Sequence, residues 1–184
     1  MNNTKYIGVI GARNLPGSQE TQVRKVVGYL LGKGYDIASG GAIGADAFAL
    51  NSLLCFGEAR RGLIFSPWQQ IGQFPIAVKD FVAKFLDKGG QINWGLVPSG
   101  ACRNVVVAGL LGRNIKLAST VSGLVAFLNG ESRGTIFTIR QAIKRQIPIV
   151  TFLSDTKMKL PEIIQSQWVR LQNPAWENAY KIIY

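Results

Sequence analysis

Three short glycine-rich segments of this sequence contain residue types that bind phosphate groups. They are 11-GARNLPGS-18, 39-SGGAIGAD-46 and 129-NGESRGT-135, and each follows an apolar, strand-like run. Glycines let the backbone approach an anion closely, and the start of a following helix offers unpaired N–H groups and a partial positive charge. Arg13 and Arg133 add guanidinium groups suited to paired hydrogen bonds with phosphate. We therefore predict that these segments bind anions. Gly11, at the beginning of the first segment, is one of the predicted phosphate-binding positions.

Ordinary turns are the alternative for each segment taken alone, because glycine-rich loops are common. Repetition of the segment at equivalent strand ends favours binding, since ligands of parallel α/β sheets lie at the carboxyl ends of the strands. Neither standard nucleotide fingerprint occurs, because the second segment lacks the G-x-G-x-x-G spacing and no Gly-Lys-Ser/Thr sequence is present. ATP hydrolysis and NAD-linked hydride transfer are therefore not expected.

Asp46 is the one acid in the second segment, among small residues. At the start of a helix its carboxylate could accept backbone N–H bonds, and we favour this structural role. It could equally orient Arg103 or a ligand hydroxyl. In an enzyme that cleaves a base from a ribose, Asp46 would stabilise the developing positive charge. Glu131, in the third segment, is a second carboxylate that could take the same role.

A fourth segment, 99-SGACRNVVVAGLLGRN-114, predicts a helix that begins near Ser99 or Gly100, with Arg103 and Asn104 in its first turn. A cation at a helix start is unfavourable unless an anion also lies there. Two interpretations stay open: Arg103 binds an anion, or it points to solvent or pairs with an acid such as Asp46.

The overall charge agrees with an anionic partner. Lys and Arg total 21 against 10 acidic residues, which gives a net charge of +11 and attracts the phosphates of a nucleic acid or a nucleotide. A basic surface that only aids solubility is the alternative. The chain has no histidine, which excludes Ser-His-Asp and Cys-His catalysis and any histidine-ligated metal. We expect no metal and no cofactor.

The sequence also bears on location. No apolar run reaches the roughly 18 residues of a membrane helix, and the N-terminus does not resemble a signal peptide. We therefore expect a cytoplasmic protein without membrane association. Cys55 and Cys102 lie in apolar sequence surroundings, so we predict buried free thiols rather than a disulfide.

Strand-like and helical patterns alternate along the chain. Strands are predicted at 5–10, 35–39, 62–65, 116–119, 123–128 and 147–153, and helices at 23–31, 44–55, 78–86, 103–111 and 135–145. This alternation predicts an α/β fold, a three-layer sandwich with a mostly parallel sheet and helices on both faces. We predict one domain over 1–153 and a C-terminal extension over 154–184. The aromatic residues of the extension could pack on the domain or stack on bases: Trp168, Trp176 and Tyr180.

Taken in order, several motifs resemble the DprA/Smf family of DNA-processing proteins, within the Rossmann-like group that includes LOG-type phosphoribohydrolases. The matching pieces are 8-GVIGARN-14, 39-SGGAIGADAFAL-50, 103-RNVVVAGL-110, 134-GTIFTIRQA-142 and 148-PIVTF-152. The resemblance implies a cytoplasmic Rossmann-like domain, often a homodimer, that binds single-stranded DNA and passes it to the recombinase RecA. The positions that it carries over as ligand contacts are Arg13, Ser39, Gly40, Gly41, Gly44, Asp46, Arg103, Asn104, Gly134, Thr135 and Thr138.

Three positions depart from the patterns of these families. Ile43 replaces an arginine and Leu50 a histidine that DprA-like proteins usually carry, so one phosphate contact is missing. Thr138 stands where LOG enzymes have a catalytic glutamate. We therefore predict binding of single-stranded DNA or nucleotide phosphates without catalysis. The alternatives are an N-glycosidase of LOG type, using Asp46 and Glu131, and a nucleotide-sensing domain.

Overall fold

The computed structural model describes residues 5–155, 158–162, 167–172, 176 and 178–184. Its strands are β1 (Tyr6–Gly11), β2 (Asp36–Ser39), β3 (Gly62–Phe65), β4 (Gln91–Asn93), β5 (Gly123–Leu128), β6 (Ile149–Leu153), β7 (Gln167–Arg170) and β8 (Ala179–Ile183). Its α-helices are α1 (Glu20–Gly32), α2 (Ala45–Cys55), α3 (Ile76–Asp87), α4 (Arg103–Thr120) and α5 (Arg133–Lys144).

The described strands form a single sheet in the order β4-β3-β2-β1-β5-β6-β8-β7. The six strands from β4 to β6 are parallel, whereas β8 runs antiparallel to β6 and β7 antiparallel to β8. The predicted α/β class with a mostly parallel sheet is confirmed. Because β2, β1 and β5 are neighbours, the three glycine-rich segments that follow them lie side by side at one edge of the sheet.

Two hydrophobic cores separate three layers. Helix α2 contacts both α1 and α3, and the three pack on one face of the sheet, with side chains such as Val26, Leu53 and Phe85 in their core. Helices α4 and α5 pack together on the other face, where Leu117 and Ile139 are buried. Successive strand residues alternate between the two cores, as the pleat of a β-strand requires. The three-layer sandwich is therefore as predicted.

The strand predicted at 116–119 is wrong, because helix α4 continues to Thr120. Leu117 and Ala118 are buried as helical residues, and Leu117 lies close to Gly8 of β1. The hydroxyls of Ser119 and Thr120 both donate to the carbonyl of Lys116 at 2.8 Å, a bond found in the last turn of helices. A short apolar run does not distinguish a strand from a buried helix segment, and here packing on the sheet decides.

The end of the chain extends the same sheet. The Trp176 ring stacks on Phe152 at 5.8 Å between centroids and meets Tyr29 edge-on at 5.3 Å. The indole N–H of Trp168 donates to the carbonyl of Pro161 at 2.9 Å. Trp168 and Trp176 therefore pack within the protein, which is one of the two roles predicted for them. Neither β7 nor β8 was predicted, because their residues show no clear alternation.

The prediction of buried thiols is also wrong, since Cys55 and Cys102 are both free and exposed. Cys55 is the last residue of α2, and Cys102 immediately precedes α4, so both lie where a helix meets solvent. The apolar residues next to each cysteine in the sequence therefore did not indicate whether its side chain is buried in the fold. Within the described ranges, no helix has the length and apolar character needed to span a membrane.

Candidate anion-binding site

A cavity of about 500 Å³ lies at the carboxyl edge of the sheet, between the end of β1 and helices α4 and α5. The turn after β1 contributes Arg13, the first turn of α2 contributes Asp46, and the middle of α4 contributes Arg113. The loop and first turn of α5 close the remaining side. The first N–H groups of any helix lack partners within the helix, so this wall offers hydrogen-bond donors to a ligand.

Asp46 and Arg113 form a buried ion pair at the base of the cavity. Their closest atoms, Asp46 Oδ2 and Arg113 Nη1, are 3.6 Å apart, and only 5% and 8% of the two side chains are exposed. The backbone N–H of Ala42 also donates to Asp46 Oδ2, at 3.2 Å. The Arg113 Nε atom is buried without a partner among the described groups. Since unpaired buried donors are costly, this guanidinium has capacity left for a ligand.

Burial shifts the pKa of both members of this pair. It raises the pKa of Asp46, and this effect is opposed by Arg113 and by the N–H groups of Ala42 and Gly11. Burial lowers the pKa of Arg113, Asp46 raises it, and the nearby positive charge of Arg13 lowers it again. Arg13 and Arg113 are therefore close enough to repel each other. An anion between them would relieve that repulsion.

Gly40 leaves space for the Arg113 guanidinium. A Cβ atom at position 40 would overlap that group and would lie 2.6 Å from Asp46 Oδ2. Glycine is therefore required here because another residue's side chain fills the space, and not because a ligand approaches the backbone. The contact with Arg113 therefore explains why position 40, close to the Asp46 carboxylate, is a glycine.

Two other glycines of the second segment also serve packing. Gly41 has a φ of +64°, and a Cβ atom there would lie 2.9 Å from both Ile64 and Phe74. Gly44 has a φ of +79° and packs against the backbone of the first segment, at Ala12 and Arg13. The second segment thus supports the first segment from behind. Its contribution to the cavity wall comes through Ala42 and Asp46.

The structure gathers eight of the sequence-predicted positions around the cavity. These are Gly11, Arg13, Asp46, Glu131, Arg133, Gly134, Thr135 and Thr138. Arg13, Glu131 and Arg133 are exposed, whereas Thr135 and Thr138 are buried. The Thr138 hydroxyl donates to the Gly134 carbonyl at 2.9 Å, and the Ser132 and Thr135 hydroxyls are 2.6 Å apart.

The remaining predicted positions do not line the cavity. Ser39, Gly40, Gly41 and Gly44 lie behind its wall in the second segment. Arg103 and Asn104 are exposed at the start of α4, several turns away from Arg113 on the same helix. The possible pair between Arg103 and Asp46 is therefore wrong, since Arg113 takes that place.

Sequence reasoning missed Arg113, Asn14 and Asn114, which all line the cavity. The Asn114 amide donates to the Gly134 carbonyl at 3.4 Å and so joins α4 to the start of α5. One signal for Arg113 was available: it follows a long apolar run in a helix that had to pack on a sheet. A cation at such a position needs an acid from elsewhere in the fold.

Besides Arg113 and Asn114, helix α4 gives the cavity an apolar wall. It consists of Val107, Leu110 and Leu111, of which Val107 and Leu111 are partly exposed to solvent. A cavity with guanidinium groups at its base and mouth and aliphatic side chains along one wall suits a ligand that joins an anion to a flat apolar group. Nucleotides have this composition. The fold defines a Rossmann-like α/β protein, and the carboxyl edge of its sheet carries a cavity lined by Arg13, Arg113 and Arg133.

Comparison with known proteins identifies the family. The family model described as DNA recombination-mediator protein A matches residues 1–168. The chain belongs to this family, and the resemblance found in its motifs is confirmed. No curated protein matches the chain.

Solved structures share the fold at low sequence identity. DNA processing protein A from Helicobacter pylori, described with a unique single-stranded DNA binding mode, has a TM-score of 0.64 at 19% identity, covering 88% of this chain and 67% of that one. The Streptococcus pneumoniae protein DprA has a TM-score of 0.60 at 20% identity, covering 88% and 52%. A molybdenum cofactor binding protein from Rippkaea orientalis has a TM-score of 0.57 at 15% identity, covering 84% and 80%. This chain therefore spans about half the length of the Streptococcus protein.

Proposed function

We propose that this protein binds single-stranded DNA, with backbone phosphates in the cavity between β1, α4 and α5, and without catalysis. The observation that carries the proposal is the buried Arg113 with its unpartnered Nε atom, next to Arg13 at the mouth of the cavity. Family membership, the net charge of +11 and the DNA-binding description of the Helicobacter protein also support it.

Several observations favour binding over hydrolysis. The carboxylate of Asp46 is engaged by Arg113 and by the Ala42 N–H group. Thr138, which replaces the glutamate of LOG-type enzymes, directs its hydroxyl to the Gly134 carbonyl. Glu131 is exposed on the loop before α5. Asp46 and Thr138 are thus already held by groups of the protein, which favours a role in shaping the cavity over one in proton transfer.

A salt titration of oligonucleotide binding tests the proposal. Fluorescence anisotropy with a labelled single-stranded oligonucleotide is expected to show affinity that falls with salt, because phosphate contacts release counterions. Replacing Arg13 by alanine removes one such contact. The slope of log affinity against log salt should then decrease by about 0.7, the value for one phosphate contact on a single strand.

Arg60→Ala is the matched control, because Arg60 is exposed just before β3 and so lies at the opposite edge of the sheet. It should leave the slope close to that of the wild type. Absence of binding at low salt, or a slope unchanged by Arg13→Ala, would count against the proposed site.

A small nucleotide or phosphorylated cofactor is the second candidate ligand. The cavity volume of about 500 Å³ falls within the range of small-molecule sites, and its most buried cation lies at the base. The cofactor-binding description of the Rippkaea protein points the same way. Mass spectrometry of the denatured protein would identify a retained small ligand. Competition by a mononucleotide would then distinguish a nucleotide sensor from a DNA-binding protein.

A homodimer through helix α4 is part of this proposal. Val105, Ala108, Gly112 and Ile115 are spaced by three and four residues and form one stripe on α4, which we call the α4 stripe. Val105 and Ile115 are 45% and 47% exposed, and Gly112 has no atom near its Cβ position. This spacing matches the apolar seam of paired helices. The stripe carries no charge, so a second copy could pack there despite the basic surface elsewhere.

The other expectations from the family resemblance remain predictions. A cytoplasmic location and a recombinase partner such as RecA follow from that resemblance. The division into a domain over 1–153 and a C-terminal extension over 154–184 also remains a proposal, and the pairing of β8 with β6 supports packing of the extension on the domain.

A further inference from the structure

A second cavity, of about 310 Å³, lies at the same edge of the sheet, beyond β6 and β8. The start of α1, the end of β6 and the start of β8 form its walls. We call it the edge crevice. Its polar side chains are the amides of Gln19, Gln22 and Asn178 and the hydroxyls of Ser18, Thr21, Ser154 and Tyr180.

The chemistry of the edge crevice differs from that of the arginine-lined cavity. Within the part of the chain that the structure describes, its lining has no charged side chain. A neutral polar group therefore suits it better than it suits the arginine-lined cavity. Glutamine and asparagine amides each offer a donor and an acceptor, which match the hydrogen-bonding edges of nucleobases. Tyr180 also lines the edge crevice, and an aromatic ring of this kind is one on which exposed bases stack.

A hydrogen-bonded bridge places the two cavities next to each other. Asn129, directly after β5, donates its amide to the Asn14 carbonyl at 2.8 Å and accepts the Ser154 hydroxyl at 2.6 Å. Asn14 lines the first cavity and Ser154 lines the edge crevice. Neighbouring strands are about 4.8 Å apart, so the cavities at the ends of β1 and β6 are separated by about two strand spacings.

The Asn178 side chain is held in position at the mouth of the edge crevice. Its backbone has a φ of +62°, a left-handed conformation that asparagine tolerates better than most residues. The guanidinium of Arg170 donates to Asn178 Oδ1 at 3.0 Å and orients the amide. A side chain fixed by its own backbone and by a neighbour loses little freedom when it binds a ligand.

We propose that the edge crevice is a nucleobase subsite for DNA whose phosphates occupy the arginine-lined cavity. This inference rests on the proposed function and adds a base-reading element to it. The backbone of the strand crosses the sheet edge near Asn129, and the adjacent base enters the edge crevice. Gln22 and Asn178 bond its edge, while Tyr180 contacts its face. The protein therefore distinguishes DNA with bases from a bare sugar-phosphate chain.

Binding of normal and abasic oligonucleotides tests the subsite. Both probes are single-stranded, fluorescently labelled and equal in length, so they carry the same phosphates. The wild type should bind the normal probe more tightly than the abasic one. Gln22→Ala should weaken binding of the normal probe about fivefold, which corresponds to one lost hydrogen bond, and leave the abasic affinity and the salt slope unchanged.

Gln91→Ala is the matched control, since Gln91 is exposed on β4 at the far end of the sheet. It should change neither affinity, and Asn178→Ala should behave like Gln22→Ala. Equal wild-type affinity for both probes would overturn the subsite and leave the phosphate site standing. An equal loss for both probes in Gln22→Ala would also overturn it. Failure of both probes to bind the wild type would overturn the proposed function itself.

Discussion

Asp46 illustrates how one residue can serve the fold and the site at once. Its carboxylate holds Arg113, whose guanidinium occupies the space that Gly40 leaves free. It also accepts the Ala42 N–H group and so fixes the turn before α2. The structural role favoured from the sequence takes the form of a bond from the Ala42 N–H ahead of α2, and the arginine that pairs with Asp46 is Arg113 and not Arg103. Asp46 places a cation at the base of the cavity and offsets part of its charge.

The pKa of Asp46 leads to a prediction about stability and pH. Burial raises it above the ordinary value of 3.8. A carboxyl group whose pKa is raised on folding stabilises the fold below its unfolded pKa, and this contribution is lost as pH rises through its folded pKa. The free energy of unfolding of the wild type should therefore fall relative to Asp46→Asn as pH rises above about 4. Urea denaturation across the acid-to-neutral range measures this difference.

The control for this measurement is Asp80→Asn, which changes an exposed carboxylate on α3. Its stability difference from the wild type should change less with pH than that of Asp46→Asn. If the wild type instead gains stability over Asp46→Asn as pH rises, attraction to Arg113 outweighs burial. The pKa of Asp46 would then lie below its ordinary value.

At the scale of elements, helix α4 has two functional faces. Of its 18 residues, only Leu117 and Ala118 are buried, which is unusual for a helix in the layer of an α/β sandwich. Val107, Leu110 and Leu111 face the first cavity, whereas the α4 stripe points away from it. A second copy could therefore pack on the stripe and leave the cavity open.

The α4 stripe predicts an oligomeric state that one substitution changes. Ile115→Glu places a charge within the proposed helix pair, where it would be desolvated without a partner. We expect the wild type to sediment as a dimer at micromolar concentrations and Ile115→Glu as a monomer. Sedimentation velocity measures both. Far-ultraviolet circular dichroism should show unchanged helix content, because glutamate is a good helix former.

Ile76→Glu is the matched control for the dimer. The residue type and the substitution are the same, and Ile76 is 92% exposed at the start of α3. It should remain a dimer. A monomeric wild type, or a dimer that survives Ile115→Glu, would exclude the α4 stripe as the interface.

The sequence predicted the elements whose signals are local. A strand, a glycine-rich turn and a helix start follow one another within a few residues, so the edge that carries Arg13 and Arg133 could be inferred. The partner of Asp46 could not, because Arg113 lies on another helix and reaches it only through the fold. The edge crevice could not be predicted for the same reason, since Gln22 and Asn178 come from opposite ends of the chain and meet only in the fold.

Errors in the predicted elements arose where tertiary packing decides. Residues 116–119 carry a short apolar run that fits a strand as well as a helix, and contact with the sheet extends α4 through them. Strand β4 has only three residues, and β7 and β8 gain their stability by pairing with an existing sheet. Periodicity within a segment does not contain this information.

At the scale of the whole molecule, the C-terminal extension belongs to the same packed unit as the rest. Ala179 is fully buried, and the Tyr184 hydroxyl donates to the Ile147 carbonyl at 2.6 Å. Trp176 fills the space between Tyr29 of α1 and Phe152 of β6. Since these contacts join the extension to the core around α1, we expect one cooperative unfolding transition.

Trp176→Ala tests whether the extension unfolds together with the rest of the protein. Loss of a partly buried aromatic side chain should lower the free energy of unfolding by about 2–3 kcal/mol. The transition should remain single, and its dependence on denaturant should keep the slope of the wild type, because the same surface is exposed on unfolding. Urea denaturation followed by circular dichroism measures both quantities.

Trp94→Ala is the matched control, since Trp94 is 38% exposed and meets Phe74 edge-on at 6.1 Å. Its cost should be about 1 kcal/mol or less. Two separate transitions in the wild type would make the extension an independent unit. Because Phe152 also lines the edge crevice, Trp176→Ala should in addition weaken binding of the normal oligonucleotide more than that of the abasic one. This result would show that packing of the extension supports base recognition. A loss of stability alone would weaken binding of the normal and the abasic oligonucleotide equally.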